Sequence, residues 1–229
     1  MDMTPSIQSF LDQLQFPPDD FQLEAMGNID QGHSVVVCAP TGSGKTLIAE
    51  FAAHKAVETG KRIFYTTPLK ALSNQKYFDF RQAYGDDFVG LMTGDTTVNR
   101  DGRIIVMTTE IFRNMLYGIQ TDPEYLKTVG YVVLDECHYM NDAERGTVWE
   151  ETIIYCPETI QLIALSATVA NAPELTDWIN EVHHDTRWGL PLPSPERAQA
   201  YMRETIDHAI ERLLALGAKA GPRERYFYR

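Results

Sequence analysis

The stretch that most constrains this chain is Ala39-Pro40-Thr41-Gly42-Ser43-Gly44-Lys45-Thr46. It follows a short apolar run, Val35-Val36-Val37-Cys38, and opens onto a helix-forming run, Leu47 to Ala53. Strand, glycine-rich loop and helix is the context a phosphate-binding loop requires. Small residues let the backbone curl so that successive N–H groups converge on an anion. The helix that follows adds its positive end. In such a loop Lys45 reaches the β- and γ-phosphates, and the Thr46 hydroxyl ligates Mg²⁺. One position departs from the usual G-x-x-x-x-G-K-[ST] pattern: residue 39 is Ala, not Gly.

A loop of this kind belongs at the carboxyl end of a parallel strand, and the rest of the chain supplies the sheet. Apolar, β-rich runs at 62–66, 88–91, 103–107, 131–134 and 160–165 alternate with helical stretches at 44–59, 69–84, 110–117, 148–154 and 173–179. Strands apolar throughout mean a parallel sheet with helices on both faces. Two short helices precede it, one from Pro5 to Gln15 and one capped at Asp19 or Asp20 and running to Ile29.

Beyond residue 186 the character changes. Residues 1–186 are strongly acidic and 187–229 are net basic, within a total of −12. A proline-rich linker, Gly189 to Pro195, leads into one long amphipathic helix with Ala198, Met202, Ile206, Ile210 and Leu213 on one face. The expected organisation is an α/β domain at 1–186 and a helical tail at 187–229.

The acidic balance argues against a generic polyanion-binding surface. It leaves room for a strand held by backbone amides, hydroxyls and a few local cations. No apolar run is long enough to span a membrane, and the first residues lack the basic and apolar segments of a signal peptide. Cys38, Cys137 and Cys156 have no paired or metal-ligand spacing and read as reduced thiols, which suggests a cytoplasmic setting.

Asp135-Glu136-Cys137-His138 follows the apolar run 131–134. Acids at the end of a neighbouring strand would meet the loop over one site. Asp135 would hold Mg²⁺, directly or through water, and Glu136 would accept the proton of an attacking water. Ser166-Ala167-Thr168 ends the run 160–165, where its hydroxyls could bond the acidic turn. Thr67-Pro68-Leu69-Lys70, Thr93-Gly94-Asp95 and Thr108-Thr109-Glu110 each place hydroxyl, glycine or charge at a strand end. All three would line one edge of the sheet.

These elements, in this order, resemble the first RecA-like domain of superfamily-two helicases. The family tolerates Ala at position 39. The wording 65–76 (YTTPLKALSNQK), Thr108 to Ile111, His138 to Asp142, Arg145-Gly146 and Trp149-Glu150-Glu151 resembles the superkiller-type DExH-box RNA helicases over roughly residues 16–183. The resemblance implies ATP and Mg²⁺ as cofactors. It implies Gln22 as an adenine-reading amide with Phe16 stacked near the base, and His138, Ser166 and Thr168 as coupling residues. It also implies backbone contacts to a single strand from Thr67, Pro68, Lys70, Gly94, Asp95, Thr108, Thr109 and Glu110. RNA is favoured over DNA as that strand. The family's second RecA-like domain supplies the arginine fingers, and nothing in 187–229 resembles it. This sequence is therefore expected to bind ATP and to hydrolyse it poorly alone. The alternatives are a catalytically weak interaction module and a DNA helicase domain.

Overall fold

In the computed structural model, residues 4–118, 123–141, 146–167 and 172–183 are described. The tail, Thr168, Asp142 and Arg145 lie outside them. α1 (Pro5–Leu11) is capped by the Thr4 hydroxyl, and α2 (Asp20–Asp30) starts after Asp19, whose N–H donates to the Gln22 side-chain oxygen. Then come β1 (Val35–Cys38), α3 (Thr46–Glu58), β2 (Arg62–Thr67), α4 (Lys70–Tyr84), β3 (Val89–Met92) and β4 (Thr97–Val98). The remaining elements are β5 (Ile104–Thr108), α5 (Thr109–Leu116), α6 (Pro123–Lys127), β6 (Val129–Leu134), a 3-10 turn at Cys137–Asn141, α7 (Gly146–Tyr155), β7 (Gln161–Ser166) and α8 (Ala172–His183).

The strands form one sheet in the order β1-β7-β6-β2-β5-β3-β4, parallel except for the short antiparallel edge strand β4. The expected α/β architecture is borne out, and β4 is the addition. It is exposed and only two residues long, so it carries no apolar signature.

The apolar strands follow from two cores of opposite parity. Ile63 and Tyr65 of β2, Ile104 and Val106 of β5, Tyr131 and Val133 of β6, and Ile163 and Leu165 of β7 pack toward α1–α4. The residues between them (Phe64, Ile105, Met107, Val132, Leu134, Leu162, Ala164) pack toward α5, α7 and α8, where Trp149 and Phe112 are fully enclosed. Alternation is invisible in the sequence because both faces are buried.

Parallel register brings the carboxyl ends of the strands to one rim. Cys38 pairs with Ser166, Leu134 with both Ala164 and Thr66, and Thr67 with Thr108. The loop 39–46, the turns that begin at Thr67, Thr93, Thr108 and Asp135, and Ser166 all sit at that rim or just after it.

Candidate active site

The loop 39–46 joins β1 to α3, as its composition requires. Ser43 N–H closes its turn onto the Pro40 carbonyl, and Gly42 and Gly44 have φ of +85° and +79°, the left-handed region that favours glycine. The Lys45 ammonium donates to the carbonyls of Ala39 (2.5 Å) and Pro40 (2.9 Å), so it lies over the mouth of the loop. Ser43 Oγ is shielded from solvent and has no hydrogen-bond partner among the described residues.

Gln22 reaches this loop from α2. Its side-chain nitrogen donates to the Gly44 carbonyl at 2.9 Å, while its oxygen accepts from Asp19 N–H at 2.8 Å. The residue is buried, and a Cβ at Gly44 would lie 2.6 Å from its amide nitrogen. Glycine at 44 is therefore favoured by φ, and a side chain there would also have to displace the Gln22 amide. Phe16, in the segment before α2, is 58% exposed.

The acidic turn stands two strands away, after β6. The strand between is β7, so the separation is roughly 10 Å. A direct link spans part of it, because Ala39 N–H donates to the Ser166 carbonyl at 3.2 Å. The Ser166 hydroxyl is fully buried beside the Cys38 thiol, which burial pushes up and which the Ser166 hydroxyl and Lys45 draw back down.

Asp135 is held from three sides. Its N–H donates to the Thr66 carbonyl at 3.0 Å. Its Oδ1 accepts from Glu136 N–H at 2.9 Å. Its Oδ2 accepts from the Tyr65 hydroxyl at 2.6 Å. Tyr65 is fully buried, and burial together with the Asp135 charge holds its hydroxyl well above the ordinary range, so it remains a donor. Tyr65 is a site residue that sequence reasoning missed: it stands in β2 as one more aromatic core residue. The signal was its place near the end of that strand, whose neighbour β6 leads into the acids. Glu136 has φ +55°, a conformation uncommon for a residue with a side chain, and such backbone is concentrated at functional turns.

His138 sits on the 3-10 turn. Its Nδ1 lies 3.3 Å from Glu136 Oε2 and 3.4 Å from the Ala167 N–H. A neutral Nδ1 accepts from Ala167, and a protonated one donates to Glu136, so the ring stands between the acidic turn and the end of β7.

The expected strand-contact residues do gather at the far part of the rim, but in two groups. Thr67, Pro68 and Thr109 are buried. Thr67 Oγ1 bonds Ser73 Oγ at 2.7 Å, and Thr109 Oγ1 donates to the Thr67 carbonyl at 3.2 Å, so these hydroxyls fasten α4 and α5 to β2. Lys70, Gly94 and Asp95 are exposed, and Thr108 and Glu110 are half-buried at the start of α5.

Residues 19–176 match the family model described as DEAD/DEAH box helicase. The chain belongs to this helicase family. Within it, the chain is 56% identical over 183 residues to DExH-box ATP-dependent RNA helicase DExH15, chloroplastic, of Arabidopsis thaliana, covering 79% of this chain and 16% of that protein. It is 48% identical over 170 residues to the Superkiller complex protein 2 of Mus musculus, covering 74% of this chain and 13% of that protein. The superkiller-type resemblance is thereby borne out. The structure of Mycobacterium smegmatis helicase Lhr bound to ssDNA and AMP-PNP superposes with a TM-score of 0.58 at 27% identity, over 72% of this chain and 25% of Lhr. The sheet is thus the RecA-like sheet of helicases. The chain spans about one sixth of the length of the first of these relatives. Among the described residues, no helix is long and apolar enough to cross a membrane.

Proposed function

We propose that this chain is the ATP-binding, first RecA-like domain of an ATP-dependent DExH-box RNA helicase. One observation carries the reading: the Lys45 loop and the Asp135–Glu136 turn face each other across β7, tied by Ala39 N–H to the Ser166 carbonyl. The loop fits a triphosphate. It has the two left-handed glycines, a lysine over its mouth and, in Ser43 Oγ, a shielded polar atom with bonding capacity to spare. Lys45 would exchange its carbonyl partners for β- and γ-phosphate oxygens. Thr46 and Asp135 are the residues to hold Mg²⁺, whose charge, when bound, neutralises those oxygens. Glu136 would take the proton of an attacking water, and Gln22, with Phe16, would meet adenine at the edge of the loop. His138, Ser166 and Thr168 would relay the state of that site.

The exposed group at the far rim is the proposed path of a single strand, contacted through its backbone. RNA is favoured by the relatives whose names read RNA helicase. DNA is the second reading, supported by the ssDNA in the Lhr structure. We infer further that turnover needs a second RecA-like domain or chain, since arginine fingers contribute about 10³–10⁵ in rate in related phosphoryl transfer.

The test is calorimetric titration of MgATP into the wild type and Lys45→Ala, with RNA-dependent turnover for the wild type and Glu136→Gln. Equal ATP affinity in Lys45→Ala would sink the loop assignment. A wild-type rate that Glu136→Gln leaves intact would sink the water activator. Robust RNA-stimulated turnover by this chain would remove the need for a second domain.

A further inference from the structure

We infer that Asp95 is a built-in counter-ion of Lys70 that a strand phosphate must displace, so that it sets the strength and salt dependence of backbone binding. The inference rests on the reading of the far rim as a strand path. Of the residues proposed to line that path, Lys70 is the one cation. It begins α4, directly after β2, and Asp95 stands in the turn between β3 and β4. That turn is pinned by reciprocal bonds between Thr93 and Thr96, with Thr93 N–H donating to Thr96 O at 2.8 Å.

The two side chains meet head-on. Lys70 Nζ lies 2.7 Å from Asp95 Oδ1 and 2.5 Å from Oδ2, and Thr93 Oγ1 donates to Oδ1 at 3.1 Å. Both partners remain open to solvent, at 49% and 67% side-chain exposure. Lys70, helped by Thr93, holds the Asp95 carboxyl below the usual carboxylate range. The nearby hydroxyls of Thr67 and Thr109 are committed to internal bonds, which leaves the Lys70 ammonium as the exposed donor among the residues proposed for this path.

An ammonium already clasped by a carboxylate treats an arriving phosphate as an exchange of one oxyanion for another. A free lysine that meets a phosphate releases a condensed counterion, about 0.7 per contact on a single strand. In the exchange, the freed Asp95 stays beside the strand and offsets the charge that Lys70 brings, so the strand keeps most of its condensed cations and the contact adds little to the salt dependence. An acidic chain of net charge −12 would thus hold a strand through shape and amides rather than through bulk attraction.

The experiment is fluorescence anisotropy of a labelled single-stranded RNA, and of DNA of the same sequence, with a non-hydrolysable ATP analogue, over a series of salt concentrations. The proteins are the full chain, Asp95→Asn, Lys70→Ala and the double variant. Asn keeps the acceptor for Thr93, and circular dichroism checks that each variant is folded. Asp95→Asn is expected to bind about two- to fivefold tighter at low salt, the range an exposed pair supports, with a log–log salt slope steeper by about 0.7. Lys70→Ala alone, which leaves the Asp95 charge unopposed, is expected to bind more weakly with a shallower slope, and in the double variant it should erase both gains. Weaker binding by Asp95→Asn, or an unchanged slope, overturns the inference while leaving the strand path standing. If neither RNA nor DNA binds any variant, the strand path and the inference fall together.

Discussion

The Tyr65 hydroxyl donates to Asp135 Oδ2 at 2.6 Å, across the β2–β6 ladder. The ring is enclosed and packs edge-on against Phe80, so its position is fixed by the core rather than by the carboxylate. An acid thus oriented presents a fixed face to a cation. Such outer partners commonly contribute 10- to 100-fold to metal affinity.

Tyr65→Phe keeps the packing and deletes the donor. The expected outcome is an intact fold with MgATP affinity reduced about tenfold and with ATP affinity in chelator unchanged. Calorimetry in the two buffers checks it. An equal loss in both would mean that Tyr65 supports the loop rather than the proposed Mg²⁺ ligand, Asp135.

How much of this was legible beforehand depended on what each residue does. The strands were readable because both faces of the sheet are buried and apolar runs survive. The 3-10 turn at Cys137–Asn141 and β4 were not, being too short to show a period. Lys45, Asp135 and Glu136 were singled out by spacing, and the structure brings their two loops to one rim. Tyr65 did not, because a core tyrosine and an orienting tyrosine have the same sequence signature, and only the register of β2 against β6 tells them apart. Thr67 and Thr109 were expected at a strand and turned out to spend their hydroxyls inside the protein, since a hydroxyl at a strand end serves either purpose.

Gly44 and Gly42 separate two causes of strain. At both, φ is left-handed, but a Cβ meets nothing within 4 Å at 42 and meets the Gln22 amide at 2.6 Å at 44. Gly42→Ala is expected to lose about 1 kcal/mol from backbone strain alone. Gly44→Ala is expected to lose more and to break the Gln22–Gly44 bond. Urea unfolding of both variants checks this. Adding Gln22→Ala to Gly44→Ala should recover part of the difference, and no recovery would rule out the clash as its source.

Glu150 gives the fold a pH dependence. It is buried in α7, and burial, with the Glu151 charge beside it, pushes its carboxyl up from 4.5 to about 7. At low pH the folded and unfolded chains both carry the proton. Between about 4.5 and about 7 the unfolded chain releases it first, so stability falls as pH rises through that window. The total is about 3 kcal/mol on this shift. Glu150→Gln should flatten this part of the profile and be more stable than the wild type at pH 8. Denaturant midpoints from pH 4.5 to 8 measure it, and parallel profiles would exclude Glu150 as the titrating group.

Gly146 starts α7 against the turn that carries His138. A Cβ there would lie 2.3 Å from the Met140 carbonyl oxygen, a backbone atom that cannot swing aside. Gly146→Ala must therefore push α7 and the 3-10 turn apart, at a cost of about 1–3 kcal/mol as for other overpacked sites. His138, two residues from Met140, would move with the turn and lose its reach to Ala167 and Glu136. Gly94→Ala, with open space around its Cβ, serves as the control and should stay within about 0.5 kcal/mol of the wild type. The decisive readout is the His138 ring resonance by NMR, which should shift in Gly146→Ala and hold still in Gly94→Ala. A destabilised Gly146→Ala with an unshifted ring would mean that the strain stays in α7 and never reaches the acidic turn.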